Sequence, residues 1–72
     1  IGINMFNSEC KYKYVIESID GRFVEVNYLS EIHLTVEIDK ATKFDSEEEA
    51  NKFKCNKGDK IIHVEFMYRK IN

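Results

Sequence analysis

Proline and tryptophan are absent from this chain, and glycine occurs three times, as Gly2, Gly21 and Gly58. The missing proline and tryptophan exclude little. Three glycines so far apart, however, leave no Gly-rich loop of the kind that cradles phosphate with backbone amides. Cysteine is as sparse. Cys10 and Cys55 stand 45 residues apart with no second cysteine beside either, so neither a CxxC redox pair nor a two-by-two zinc framework can be drawn. A bridge between them would staple most of the domain, but no secretory signal accompanies them, and two free thiols are the expectation. No apolar run approaches the roughly 20 residues that cross a bilayer, and no charged-then-apolar leader is present. The expectation is a cytoplasmic protein without a membrane partner. An excess of positive charge is missing too. The net charge is -2, with four bases against seven acids in residues 1–40 and seven against six in residues 41–72. Proteins that live on duplex DNA usually carry a strongly positive face, so nucleic acid is not the first partner to expect.

What is present is one short domain, residues 1–72, with residues 1–9 expected to stand outside the fold as a disordered or foreign N-terminal segment. The chain begins with Ile, so the expectation is that residues 1–4 are a remnant or a trimmed end and Met5 a natural start. A chain of 72 residues buries only about 60% of the surface that its unfolded form exposes, so one layer of helix against one sheet is all it can build. Nine aromatic residues, each able to bury roughly 150 Å² or more, partly offset the small size. The richness in Ile, Lys, Asn and Glu over Arg, Ala and Pro reflects AT-rich codons and points to a low-GC bacterium or an element living in one.

Independent local signals agree at one place. Ser46 is followed three residues later by Glu49, the spacing of a capping box. Glu47, Glu48 and Glu49 sit where the helix dipole is positive, and Lys52, Lys54 and Lys57 near its negative end. The spacing predicts a helix over 47–55, left through Asn56-Lys57-Gly58-Asp59. Elsewhere the apolar residues alternate with period two. Tyr12, Tyr14 and Ile16 predict a first strand, Asp20-Gly21 a two-residue hairpin turn, residues 22–29 a second strand and residues 32–39 a third, with Ile32, Leu34, Val36 and Ile38 facing the core. Residues 61–69 predict a last strand. The expected fold is therefore α+β: an antiparallel sheet of about four strands, in the order β-β-β-α-β, with one short helix packed on one face. Phe44, Ala50 and Phe53 form the stripe that docks the helix.

Candidates for chemistry are thin. His33 with Glu37, and His63 with Glu65, would gather into a chelating cluster only if the third and last strands paired, and neither spacing is that of a zinc site. No strained Gly-x-Ser-x-Gly turn frames a nucleophile. The reading is a non-enzymatic chain with no catalytic residues, no metal, no cofactor and no small-molecule substrate. The least bland feature is a second apolar set on the wrong parity: Val15, Ile19, Phe23, Leu29, Ile61 and Met67. A sheet with one helix covers one face, so this set is expected on the open face, and an exposed apolar patch commonly marks a partner. Val15, Phe23, Leu29 and Met67 are the expected partner-binding residues. The alternative reading is a nucleic-acid-binding module in which Lys52, Lys54, Lys57, Lys60, Arg69 and Lys70 surround Tyr68.

The run Ala41-Thr42-Lys43-Phe44-Asp45-Ser46-Glu47-Glu48-Glu49-Ala50, set between a short meander and a last strand, resembles the Ala-x-x-Phe-x-x-x-x-Glu-Ala segment of small uncharacterised phage and prophage proteins of low-GC Gram-positive bacteria. The resemblance spans residues 11–68. It implies a cytosolic accessory protein that binds or inhibits a host protein, and it carries no functional residues over. The expected function is thus a protein-interaction module that works through an uncovered sheet face or an edge strand, on a protein partner or by self-association as a homo-oligomer.

Overall fold

The computed structural model describes the backbone of residues 8–69 and the side chains of residues 10–67. The expected α+β architecture is present. Four strands, β1 (Ser8–Glu17), β2 (Phe23–Val26), β3 (Ile32–Thr35) and β4 (Lys60–Arg69), form one antiparallel sheet in the order β3-β2-β1-β4, and α1 (Glu47–Asn51) lies between β3 and β4 in the chain. β1 begins at Ser8, so the segment expected to lie outside the fold is already in the sheet at residues 8 and 9, while residues 1–7 lie outside the described ones.

β4 pairs with β1 along its whole length, from Ser8↔Arg69 to Glu17↔Lys60. This settles the face of every residue in the two strands, because cross-strand partners share a face. Ile61 stands beside Ile16 on the helix side, with Cys10, Tyr12 and Tyr14 of β1 and His63, Glu65 and Met67 of β4. Ile62, Val64 and Phe66 share the other face with Val15 and Lys13. The parity expected for the last strand is therefore reversed: Ile61 belongs to the helix-side core, and Met67 lies on that same side.

The meander expected of the first three strands is interrupted. β1 and β2 share the single pair Glu17↔Phe23 and then part. Residues 42–44 fill the gap: the Thr42 amide donates to the Val24 carbonyl at 3.0 Å, and Phe44 and Tyr14 exchange amide–carbonyl bonds at 2.8 and 2.9 Å. The Val26 amide donates to Thr42 Oγ1 at 2.6 Å, and Lys13 is ion-paired with Asp45. Phe44, expected in the stripe that docks the helix, thereby enters the core as part of the sheet.

Both hairpins use a three-residue loop, not the two-residue turn expected at Asp20-Gly21. The Gly21 amide donates to the Ser18 carbonyl and the Ser30 amide to the Asn27 carbonyl, each at 2.9 Å, and Ser18 and Asn27 donate to the carbonyls of Arg22 and Glu31. This is a type I turn closed by a left-handed residue. Gly21 has φ 88° and Ser30 has φ 63°.

α1 begins as expected, with Ser46 Oγ accepting from the Glu49 amide at 3.1 Å. It ends at Asn51 rather than Cys55, so the lysines lie beyond it. Five residues do not hold a helix alone. Ala50, fully buried against Ile16, Val24 and Phe44, holds it, together with Phe53, whose ring stacks on Phe44 at 5.5 Å.

Candidate functional site

The face opposite the helix is not open. Val15 is 0% exposed and Ala41 is buried. The Tyr14↔Phe44 bridge sets Lys43 beside Val15 on this face by continuation of the register. Lys43 Nζ lies 5.5 Å from the centre of the Phe66 ring and donates to the carbonyls of Asp39 and Ala41 at 2.8 and 3.0 Å. The connection from β3 to α1 thus covers the middle of the second face.

The four expected partner-binding residues are accordingly dispersed. Val15 is a correction: it is fully buried and closed to a partner. Phe23 is half-buried on the same face, next to Glu17 and Thr35. Met67 is exposed on the other face, opposite Cys10. Leu29 is exposed at the tip of the β2–β3 hairpin beside Tyr28. No common patch unites them.

The exposed apolar surface lies where core was expected. Ile32 and Leu34 are 40% and 39% exposed, and Val36 and Ile38 beyond them are exposed as well. Their parity is as expected, since Ile32 pairs with Val26 and Leu34 with the buried Val24. The helix simply does not extend over them: it packs mainly on β1 and β4 and reaches β2 at Val24, while β3 is the far edge of the sheet. β3 is also shorter than the run of residues 32–39 suggests. Thr35 Oγ1 accepts from the Glu37 amide at 3.1 Å, a side-chain turn that bends the chain away into a single 3-10 turn at Ile38–Lys40.

The backbone of this edge is available as well. The Val24 carbonyl and the Val26 amide bond to Thr42, away from β3. Bonding along an antiparallel pair alternates, so β2 holds β3 through Phe23 and Glu25, whose partners are Thr35 and His33. Ile32 and Leu34 therefore present both their amides and carbonyls and their half-exposed side chains at one edge that is free among the described residues. The hairpin loop that supports the edge is rigidly tied: Asn27 Oδ1 accepts from the amides of Leu29 and Glu31 at 2.8 and 2.9 Å, and Asn27 Nδ2 donates to Glu31 Oε1 at 2.8 Å. Sequence reasoning missed this site because period-two alternation says which side a residue faces, not how far a helix reaches across the sheet.

The remaining candidates are separated. β3 and β4 are opposite edges of the sheet, so His33 and Glu37 do not meet His63 and Glu65. His63 instead stacks on Tyr14 with ring centres 4.5 Å apart, and the Tyr12 hydroxyl donates to Glu65 at 3.1 Å, which raises the Tyr12 pKa. An open cavity beside the β1–β2 turn is lined by Glu17, Ser18, Ile19, Gly21, Gly58 and Lys60. Its hydroxyl is engaged, since Ser18 Oγ donates to Asp20 and accepts from the Arg22 amide. Asp20 is held well below the usual carboxylate range by the Arg22 guanidinium first and by Ser18 second. Asp59 is buried where β4 begins and accepts the Asn56 amide on Oδ2, with Oδ1 unpartnered among the described residues. Lys52, Lys54, Lys57 and Lys60 are exposed around the helix exit, Lys60 directly opposite Glu17. The side chains of Tyr68 and Arg69, and Lys70 altogether, lie outside the described residues.

Comparison of the chain with protein-family models, with curated proteins and with solved structures gave no match. Among the described residues, no helix is long and apolar enough to cross a membrane.

Proposed function

We propose that this chain is a small non-enzymatic protein-interaction module, of the phage-type accessory kind that its helix-start segment resembles, acting in the cytosol through its free edge strand β3. The observation that carries the reading is the coincidence, at Ile32 and Leu34, of outward backbone groups and exposed apolar side chains. An open strand edge is a template for another strand, and natural proteins usually blunt it with lysine, proline or a bulge. β3 has none of the first two, its sequence being Ile-His-Leu-Thr. Strand addition there supplies main-chain hydrogen bonds for affinity and alternate side-chain contacts for selectivity.

The test compares the native chain with Leu34→Lys, which places a charge on the exposed edge beside the buried Val24, with urea unfolding of the variant confirming that it still folds. Bound partner should protect the Ile32 and Leu34 amides from hydrogen exchange, and Leu34→Lys should weaken the association by roughly 1 kcal/mol or more. A partner held equally well by the variant, with exchange at β3 unchanged, would refute the edge as the site.

A further inference from the structure

The charges around the edge narrow what pairs with it. Residues 23–39 contain Glu25, Glu31, Glu37 and Asp39 and not one Lys or Arg. The bases that bracket the stretch are already engaged, Arg22 with Asp20 at 2.7 Å and Lys40 with Glu37 at 2.8 Å. Among the described residues, the Glu31 carboxylate is bonded to the neutral Asn27 amide alone, and Glu25 has no ion-pair partner.

The two faces of the edge also differ. Ile32 and Leu34 lie on the helix side, next to Val26 and Val24. His33 and Thr35 lie on the other side, where Glu25 is the direct neighbour of His33 and Glu31 stands one pleat away. A strand added to β3 continues the same alternation, so every second side chain lands beside Ile32 and Leu34 and the intervening ones beside Glu31, His33 and Thr35, with Glu25 one strand further in behind His33.

We infer that the partner of β3 is an extended protein segment in which apolar residues alternate with lysine or arginine, an inference that rests on β3 being the site. A second copy of this chain fits less well. Two-fold antiparallel pairing through Ile32 and Leu34 brings the Glu25 and Glu31 of both copies onto one face with no Lys or Arg among residues 23–39 to answer them. Like charges set close across an interface are a penalty that selects against the wrong partner.

The experiment uses the whole chain and two short synthetic peptides, one alternating lysine with valine, the other glutamate with valine. Binding is followed by anisotropy and by the amide resonances of β3. The lysine peptide should shift Ile32 and Leu34, bind roughly tenfold more tightly than the glutamate peptide, and weaken as salt is raised. The double variant Glu25→Lys with Glu31→Lys should reverse the preference, its fold being checked by its amide resonances because Glu31 also holds Asn27. Equal binding of both peptides at β3 would overturn the charge assignment and leave the edge as the site. Absence of any shift at Ile32 and Leu34 with either peptide, together with a Leu34→Lys variant that retains its natural partner, would overturn both. Self-association of the native chain that occupies β3 and excludes the lysine peptide would overturn the basic partner in favour of a second copy.

Discussion

Ser30 and Gly21 hold equivalent places in the two hairpins, yet only one of them suits the backbone it adopts. Both have positive φ, a region that costs an L side chain about 1–2 kcal/mol and glycine little. Ser30→Gly should therefore raise stability by about 0.5–1 kcal/mol after the extra freedom of the unfolded glycine is discounted. Gly21→Ala should lower it by about 1 kcal/mol, and since a Cβ there meets nothing within 4 Å, that loss is conformational rather than steric. Urea unfolding of the two variants checks both signs at once. Asp20 adds a pH signature to the same turn. Its folded pKa is depressed, so its contribution is present above the ordinary value of 3.8 and is lost as pH falls below it toward the folded value. The difference in melting temperature between the native chain and Asp20→Asn should accordingly be larger at neutral pH than at pH 3. A constant difference across that window would show that the carboxylate does not hold the turn.

Among the elements, α1 depends most on its surroundings. Ser46→Ala should cost about 1 kcal/mol by freeing the Glu49 amide. The two stacked rings are not equal: Phe44 is buried and bonded into the sheet, while Phe53 is half-exposed. Phe44→Ala should cost about 3–5 kcal/mol and Phe53→Ala clearly less, an order that denaturant midpoints can read. The reverse order would mean that the helix, not the inserted segment 42–44, carries the core. The start of α1 was legible because a cap is a contact between residues three apart. Its early end was not, since Lys52 and Phe53 have good helical neighbours in the chain, and what diverts them is the packing of Phe53 on Phe44.

At the scale of the whole molecule, support falls away from β1 toward β3. β1 is paired on one side with β4 throughout and on the other with β2 and the Phe44 segment, whereas β3 has, among the described residues, a neighbour on one side only. Hydrogen exchange in the free chain should therefore be slowest at Val15 and Ile16 and fastest, within the sheet, at Ile32 and Leu34. Uniform protection across all four strands would remove the free edge and with it the proposed site.

Alternation and capping in the amino-acid sequence by themselves determined the class of fold, the order of its elements, the start of the helix and the face of each residue in β2 and β3. These are properties of neighbours in the chain, and a period of two or a cap three residues away expresses them directly. Only the tertiary structure decided that β4 runs beside β1, which reversed the faces assigned to Ile61 and Met67, and that Val15 is buried with Lys43 laid beside it. It alone, too, left Ile32 and Leu34 uncovered. Those outcomes rest on which strand is adjacent to which and on how far a five-residue helix extends across a four-stranded sheet, distances between segments remote in the chain that no local periodicity encodes.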